Sequence, residues 1–156
     1  MDNDEYIGYH SCSIGIIRIK AIEKAITAIE FAEKQGEEKL NSVIVQCKKQ
    51  LDEYFQGNRK SFHVHVCFNK GTEFQIRVWN ALKEIPYGTT VSYKDIAEKI
   101  GNPKAVRAVG GANNKNPISI IVPCHRVIGK NGKLIGYGGG IDKKEFLLKL
   151  ERNNCK

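Results

Sequence analysis

At Asn69-Lys70-Gly71-Thr72 the chain changes character, and this break limits what it can fold into more than any other feature. Before it lie short, isoleucine-rich and alternating stretches. Residues 13–20, SIGIIRIK, read as a strand, and residues 61–68, SFHVHVCF, alternate as one. Residues 21–34, AIEKAITAIEFAEK, fit two templates: Ala and Glu favour a helix, while Ile26, Ala28, Ile29 and Phe31 suit a strand entered by a turn near Glu23-Lys24. A helix is expected over 42–58, with Ser42 as its cap, Ile44, Cys47, Leu51 and Phe55 on one face, and Gly57 as its end. After the break the period turns helical. Phe74, Val78, Leu82 and Ile85 recur at helix spacing behind Thr72 as a cap. The expected architecture is therefore α/β: a small N-terminal domain over 1–68, a short antiparallel sheet plus a helix, and a mostly helical domain over 69–156.

Charge divides at the same place. Residues 1–71 carry 10 Lys/Arg against 10 Asp/Glu and residues 72–156 carry 15 against 7, so the whole net charge of +8 lies in the second part. A neutral first part and a basic second part suggest that the second meets a polyanion. Residues 92–114 give that suggestion a shape. Ser92 and Asp95 form a capping-box-like pair, Gly101 ends the first short helix, and Asn102 and Pro103 are placed to start a second. Helix, glycine-containing turn, helix is the outline of a helix-turn-helix. Five cysteines without a CxxC pair argue against a disulfide scaffold and fit a reducing compartment. An acidic start, MDNDEYIGYH, and the lack of any run of about 18 apolar residues argue against a signal peptide or membrane span; a cytoplasmic location is expected.

The chemistry concentrates in ISIIVPCHRVIG, residues 118–129, where an apolar run resembling a buried strand ends in Pro123-Cys124-His125-Arg126. Cysteine is a nucleophile when a base takes its proton or its thiolate is stabilised. Neighbouring side chains on a strand or turn usually point apart, so His125 would reach Cys124 through a water. A third group should orient the imidazole, and Glu151 on the final helical stretch is one acidic candidate. GYGGG, residues 136–140, lacks the Lys-Ser/Thr of a phosphate-binding loop and reads as a mobile or close-approach segment. His63, His65 and Cys67 alternate on one side of a strand, but no clean ligand pattern emerges, and no metal or other cofactor is expected.

Together, GTEFQIRVWNALKEIPYGTTVSYKDIA, GNPKAVRAVGGANNKNPI, IVPCHRVIG and GKLIGYGGG resemble the O6-alkylguanine-DNA alkyltransferase family, in order and over essentially all of residues 69–152. Residues 1–68 resemble that family's N-terminal ribonuclease-H-like domain in layout only. The resemblance implies direct, irreversible transfer of an alkyl group from guanine O6 in double-stranded DNA to the protein's own cysteine, with O4-alkylthymine left open as a second substrate. By position it implies Cys124 as acceptor, His125 as base, Glu151 as its orienting carboxylate, Tyr93 as the tyrosine that helps flip the nucleotide and protonates the leaving guanine, and Asn116 as the brace of the acceptor turn. Arg107 would fill the vacated stack, with Tyr93, Ala105, Gly110 and Arg126 at the DNA. Val127, Tyr137, Gly138, Gly139 and Lys144 would shape the base pocket; Gly138 stands where the family commonly has serine. The implied protein is a cytoplasmic monomer. The rival readings are a non-catalytic binder of alkylated DNA, a helix-turn-helix regulator and, more remotely, a thiol hydrolase.

Overall fold

The computed structural model describes residues 4–137 and 139–155. The backbone forms two compact units, residues 1–69 and 70–156. Among the described residues, no helix is long and apolar enough to cross a membrane.

In the first unit, β1 (Tyr6–Cys12), β2 (Gly15–Ala21) and β3 (Ile26–Ala32) make an antiparallel sheet in the order β1-β2-β3. The 21–34 stretch thus adopts the strand template. Ile26 and Ile29 enter the core with Ile17 and Ile19 of β2, where four β-branched side chains suit a pleated surface better than a helix. Helix α1 (Ser42–Phe55) buries Ile44, Cys47 and Leu51. It approaches β1 so closely that a Cβ on Gly8 would lie 2.5 Å from Ile44 Cγ2. Its cap is Asn41, whose side chain accepts from the Ile44 N–H, and not Ser42, which is the first helical residue. The alternating 61–68 segment is not a ladder strand. Only Val66 pairs, parallel to Ile26, through the Ile26 N–H to His65 carbonyl and Cys67 N–H to Ile26 carbonyl bonds. Among the described residues, no group of three His, Cys, Asp or Glu side chains converges as a metal site would need.

In the second unit, α2 (Glu73–Leu82) starts with a complete capping box between Thr72 and Gln75. Residues Val91–Ser92 (β4) pair in parallel with Val127–Ile128 (β5). Helix α3 (Tyr93–Lys99) begins at the Ser92–Asp95 capping box, and Gly101 takes φ +79° after it. Helix α4 (Val106–Asn114) packs on α2 and α3, and the Trp79 indole donates to the Ala112 carbonyl at 2.8 Å. The Asn102-Pro103 start is displaced. Residues 102–105 form a turn closed by the Ala105 N–H on the Asn102 carbonyl, and α4 begins at Val106 with Ala105 as its cap. Helix α5 (Ile141–Asn154) completes the unit.

Candidate active site

The apolar run before Cys124 is not a strand. Residues 118–122 form a buried turn, with the Val122 N–H on the Ile118 carbonyl and Ile120 at φ +74°, unusual for a β-branched residue. Asn116 holds it in place. Its Oδ1 accepts from the Ile118 N–H at 3.0 Å, and its Nδ2 donates to the Val122 carbonyl at 2.8 Å. Cys124–Arg126 then form one turn of 3₁₀ helix, which at three residues per turn fans consecutive side chains apart.

That turn delivers His125 and Arg126 to Glu151 on α5. The His125 Nε2 lies 2.6 Å from Glu151 Oε2. Arg126 donates through Nε to Oε1 at 2.8 Å and through its second terminal nitrogen to Oε2 at 3.0 Å, while its other terminal nitrogen donates to the Ile85 carbonyl at 2.6 Å. The Gly88 N–H donates to Oε1 at 3.2 Å. All three side chains are buried: His125 is 0% exposed, Glu151 1% and Arg126 7%. This corrects the placement of Arg126 at the DNA. Its guanidinium is turned inward and committed to Glu151, because a buried carboxylate needs a permanent counter-ion.

Protonation follows from these contacts. Burial alone would raise the Glu151 carboxyl, but its bonds to His125 and Arg126 outweigh burial and hold it well below the usual carboxylate range. Burial lowers His125 more than Glu151 raises it. The consistent assignment is a Glu151 anion neutralised by Arg126, and a neutral imidazole donating Nε2–H to Glu151. His125 Nδ1 then carries a free lone pair, and it has no hydrogen-bond partner among the described residues. Cys124, 3% exposed, is pushed up to about 11 by burial, against the Asn116 side chain and the Lys144 charge, which lower it. A thiol at rest beside a neutral base is the pairing that nucleophilic cysteine chemistry requires.

Facing the helices is a groove of about 670 Å³ between α4 and the 135–136 segment, lined by Tyr93, Lys104, Arg107, Gly110, Asn114 and Ile135 among others. Tyr93, the first residue of α3, donates its hydroxyl to the Ile135 carbonyl at 2.8 Å; burial, then the nearby Cys124, pushes its phenol above its ordinary value. Lys144 is 0% exposed, donates to the Ile135 and Gly136 carbonyls at 3.0 and 3.3 Å, and stands 5.9 Å from the Tyr93 ring centroid. Burial lowers its amine to about 8. Arg107 is exposed on the groove wall, Gly110 lines it, and Ala105 caps the same helix. Val127 is fully buried in β5, Tyr137 is buried, and Gly139 is half-buried. Gly138 lies outside the described residues.

The structure thus joins a shielded thiol, a neutral imidazole with a free nitrogen, and a basic helix-turn-helix groove. The profile of the 6-O-methylguanine DNA methyltransferase DNA-binding domain matches residues 73–153, and that of the same proteins' ribonuclease-like domain matches residues 6–68. The chain belongs to the methylated-DNA–protein-cysteine methyltransferase family. The methyltransferase of Methanosarcina barkeri is 49% identical over 92% of this chain and 94% of its own. The crystal structure of Mycobacterium tuberculosis O6-methylguanine methyltransferase matches with a TM-score of 0.85 at 44% identity, over 95% of this chain and 94% of that one. The structure of the M. tuberculosis protein in complex with DNA matches at 0.84 and 45%, over 94% and 93%. As a methyltransferase of this family, the chain is a DNA-repair protein that binds DNA and transfers alkyl groups to cysteine.

Three contributors to the methyltransferase site had no distinct signal in the sequence. The Ile85 carbonyl and the Gly88 N–H are backbone groups, which sequence patterns do not reveal. Asn113, which donates Nδ2 to the Cys124 carbonyl at 3.3 Å, sits in an unremarkable Asn-Asn pair.

Proposed function

We propose that this methyltransferase removes alkyl groups from O6-alkylguanine in double-stranded DNA, with Cys124 as the acceptor. The observation that carries the reading is the buried Cys124–His125–Arg126 turn locked to Glu151. Guanine O6 is inaccessible in the stack, so the nucleotide must rotate out, and a damaged pair costs less to open. Exposed Arg107 on α4 supplies a planar cation to fill the gap. Within the site, the Cys124 proton passes through an intervening water to His125 Nδ1, and Glu151 stabilises the imidazolium that forms. The sulfur lone pair attacks the alkyl carbon, an S–C bond forms, and the C–O6 bond breaks with its electrons moving into the guanine. Tyr93, kept protonated by its raised pKa, donates its proton to the leaving base and recovers one from His125 through solvent. The sum is thiol plus O6-alkylguanine to thioether plus guanine.

Asn116 braces the turn, Lys144 fixes the Ile135–Gly136 backbone over Tyr93, and Val127, Tyr137 and Gly139 shape the pocket. Ala105 and Gly110 let α4 approach DNA closely. One chain carries every group of the step, which supports action as a monomer, and five free cysteines suit the cytoplasm. The proposed division of labour assigns DNA binding and acceptance to residues 69–156, with 1–68 as the ribonuclease-H-like domain.

Intact mass after incubation with a duplex containing O6-methylguanine tests the assignment. One methyl should appear on the native chain, map to the Cys124 peptide, and be absent from Cys124→Ser. Tight lesion binding with no mass change would leave a damage-recognition protein instead. Arg107→Ala should keep stability within about 0.5 kcal/mol, because the side chain is exposed. It should slow transfer from duplex DNA about tenfold, in line with the roughly 1–3 kcal/mol of one base-stacking contact. Equal rates for native and variant would remove Arg107 from the flipping step.

A further inference from the structure

Among the described residues of the second unit, the large aliphatic side chains left exposed are Val106, Ile135 and Ile141. A single exposed aliphatic needs no explanation. Two of these three, however, line the groove beside Tyr93 and Arg107. Ile135 is the more open of the two, at 51% exposure, and it is held firmly in place. Its carbonyl accepts from the Tyr93 hydroxyl at 2.8 Å and from Lys144 Nζ at 3.0 Å. Its side chain rests on Gly129, where an added Cβ would lie 2.5 Å from Ile135 Cδ1. Apolar surface is thus fixed on the groove of the basic part of the chain. A phosphate does not cover such a surface. Base faces and sugars do, and a stacked duplex hides its base faces until a nucleotide leaves the stack.

We propose that Ile135 is a substrate-contacting residue of the methyltransferase, whose side chain packs against the extruded nucleotide and replaces part of the stacking it gives up. The inference rests on the proposed function and adds a second group to the opening step. Arg107 fills the gap left in the duplex, and Ile135 receives what has left it. Extrusion exposes apolar base and sugar surface to water, and a half-exposed aliphatic covers part of it. The position fits this task. Tyr93, the proposed proton donor to the leaving base, is bonded to the backbone of Ile135 itself, so phenol and aliphatic side chain stand on one lip of the groove. An aliphatic contact reads no base edge. It favours any nucleotide that has been turned out and leaves the choice of guanine to other groups.

Ile135→Ser removes the apolar surface and keeps a small side chain on the lip. Three measurements follow it: melting temperature, affinity for an undamaged duplex, and single-turnover transfer from a duplex carrying O6-methylguanine. In the last, a 2-aminopurine beside the lesion brightens when its neighbour unstacks. Melting should stay near native and undamaged affinity should stay within about twofold, because the side chain is half-exposed and contacts DNA only after extrusion. Transfer should slow about fivefold to thirtyfold, the value of covering one aliphatic side chain, and the brightening should fall with it. Ile135→Leu should restore both. Ile141→Ser, a change at 48% exposure off the groove, should alter none of the three. If serine lowers the melting temperature, Ile135→Ala reads the same contrast. Equal losses on damaged and undamaged DNA overturn the inference, since they mark a general DNA contact. So does slower transfer with native brightening, which places Ile135 after the opening step, and so does a native rate in the variant. No transfer from the damaged duplex to the native chain overturns the proposed function and this inference with it, whereas these three results overturn the inference alone.

Discussion

Replacing Glu151 with glutamine is expected to destabilise the fold by about 3–5 kcal/mol and to slow alkyl transfer by about 10²–10⁴-fold. The stability loss comes from Arg126. Its guanidinium is 7% exposed and makes two of its bonds to the Glu151 carboxylate, so a neutral amide strands a buried cation. The rate loss comes from His125, which would no longer have an anion 2.6 Å away when it accepts the thiol proton. Thermal unfolding and single-turnover kinetics measure the two separately. An unchanged melting temperature would mean that Arg126 finds another partner, and the charge assignment of the site would fall. Acid should erase part of the difference. Glu151 is held below its ordinary value of 4.5 in the folded chain, so the unfolded chain takes up that proton first as pH falls. Its contribution is complete above the unfolded value and is lost below it. The stability gap between native and Glu151→Gln should therefore be widest near pH 7 and narrow steadily below about pH 5.

Trp79→Ala is expected to cost about 3–5 kcal/mol, the usual result of removing a buried tryptophan. The ring is 2% exposed, its indole nitrogen donates to the Ala112 carbonyl near the end of α4, and its far edge fills the space a Cβ on Gly71 would need. The expected consequence reaches beyond stability. Because Ala112 and Asn113 are adjacent on α4, losing the Trp79 anchor loosens the helix that presents both Arg107 and the Asn113 amide. Urea unfolding should show the stability loss, and DNA affinity should fall even at temperatures where the variant is folded. A variant that binds DNA as tightly as the native chain would show that the remaining contacts of α4 with α2 and α3 suffice to hold it.

Much of this arrangement is legible from residue spacing, and the failures have local causes. The cap at Thr72 and the capping box at Ser92 were readable because their partners lie within three residues; the reciprocal Gln75 side of the Thr72 cap was not read. Asn41 was passed over for Ser42 because two good capping residues stand side by side, and only the path of the chain decides between them. The β1 strand, Tyr6–Cys12, was not recognised because Gly8 interrupts the apolar alternation; its role there is to admit Ile44 of α1. The run Ile118–Val122 has the composition of a strand, yet Asn116 ties it into a turn through three backbone bonds that no periodicity reports. Arg126 was misplaced for a similar reason: a basic residue in a basic segment suggests phosphate, and its partner is 25 residues away in the chain. Cys124, His125 and Glu151 were singled out because an uncommon triplet and a family resemblance pointed to the same place, and the structure brings His125 and Glu151 within 2.6 Å.

The burial of Cys124 has one more consequence. A thiol held at about 11 is ionised in only about one molecule in ten thousand at pH 7, and it offers solvent almost no surface. Oxidants and stray electrophiles in a cell attack exposed thiolates first. A residue with the proposed role, reacting once without regeneration, gains from staying inert until a base has been turned into the pocket and His125 can take its proton. Under the proposed chemistry the chain keeps its reactivity latent, so that intact molecules are lost to lesions repaired and not to the time since synthesis.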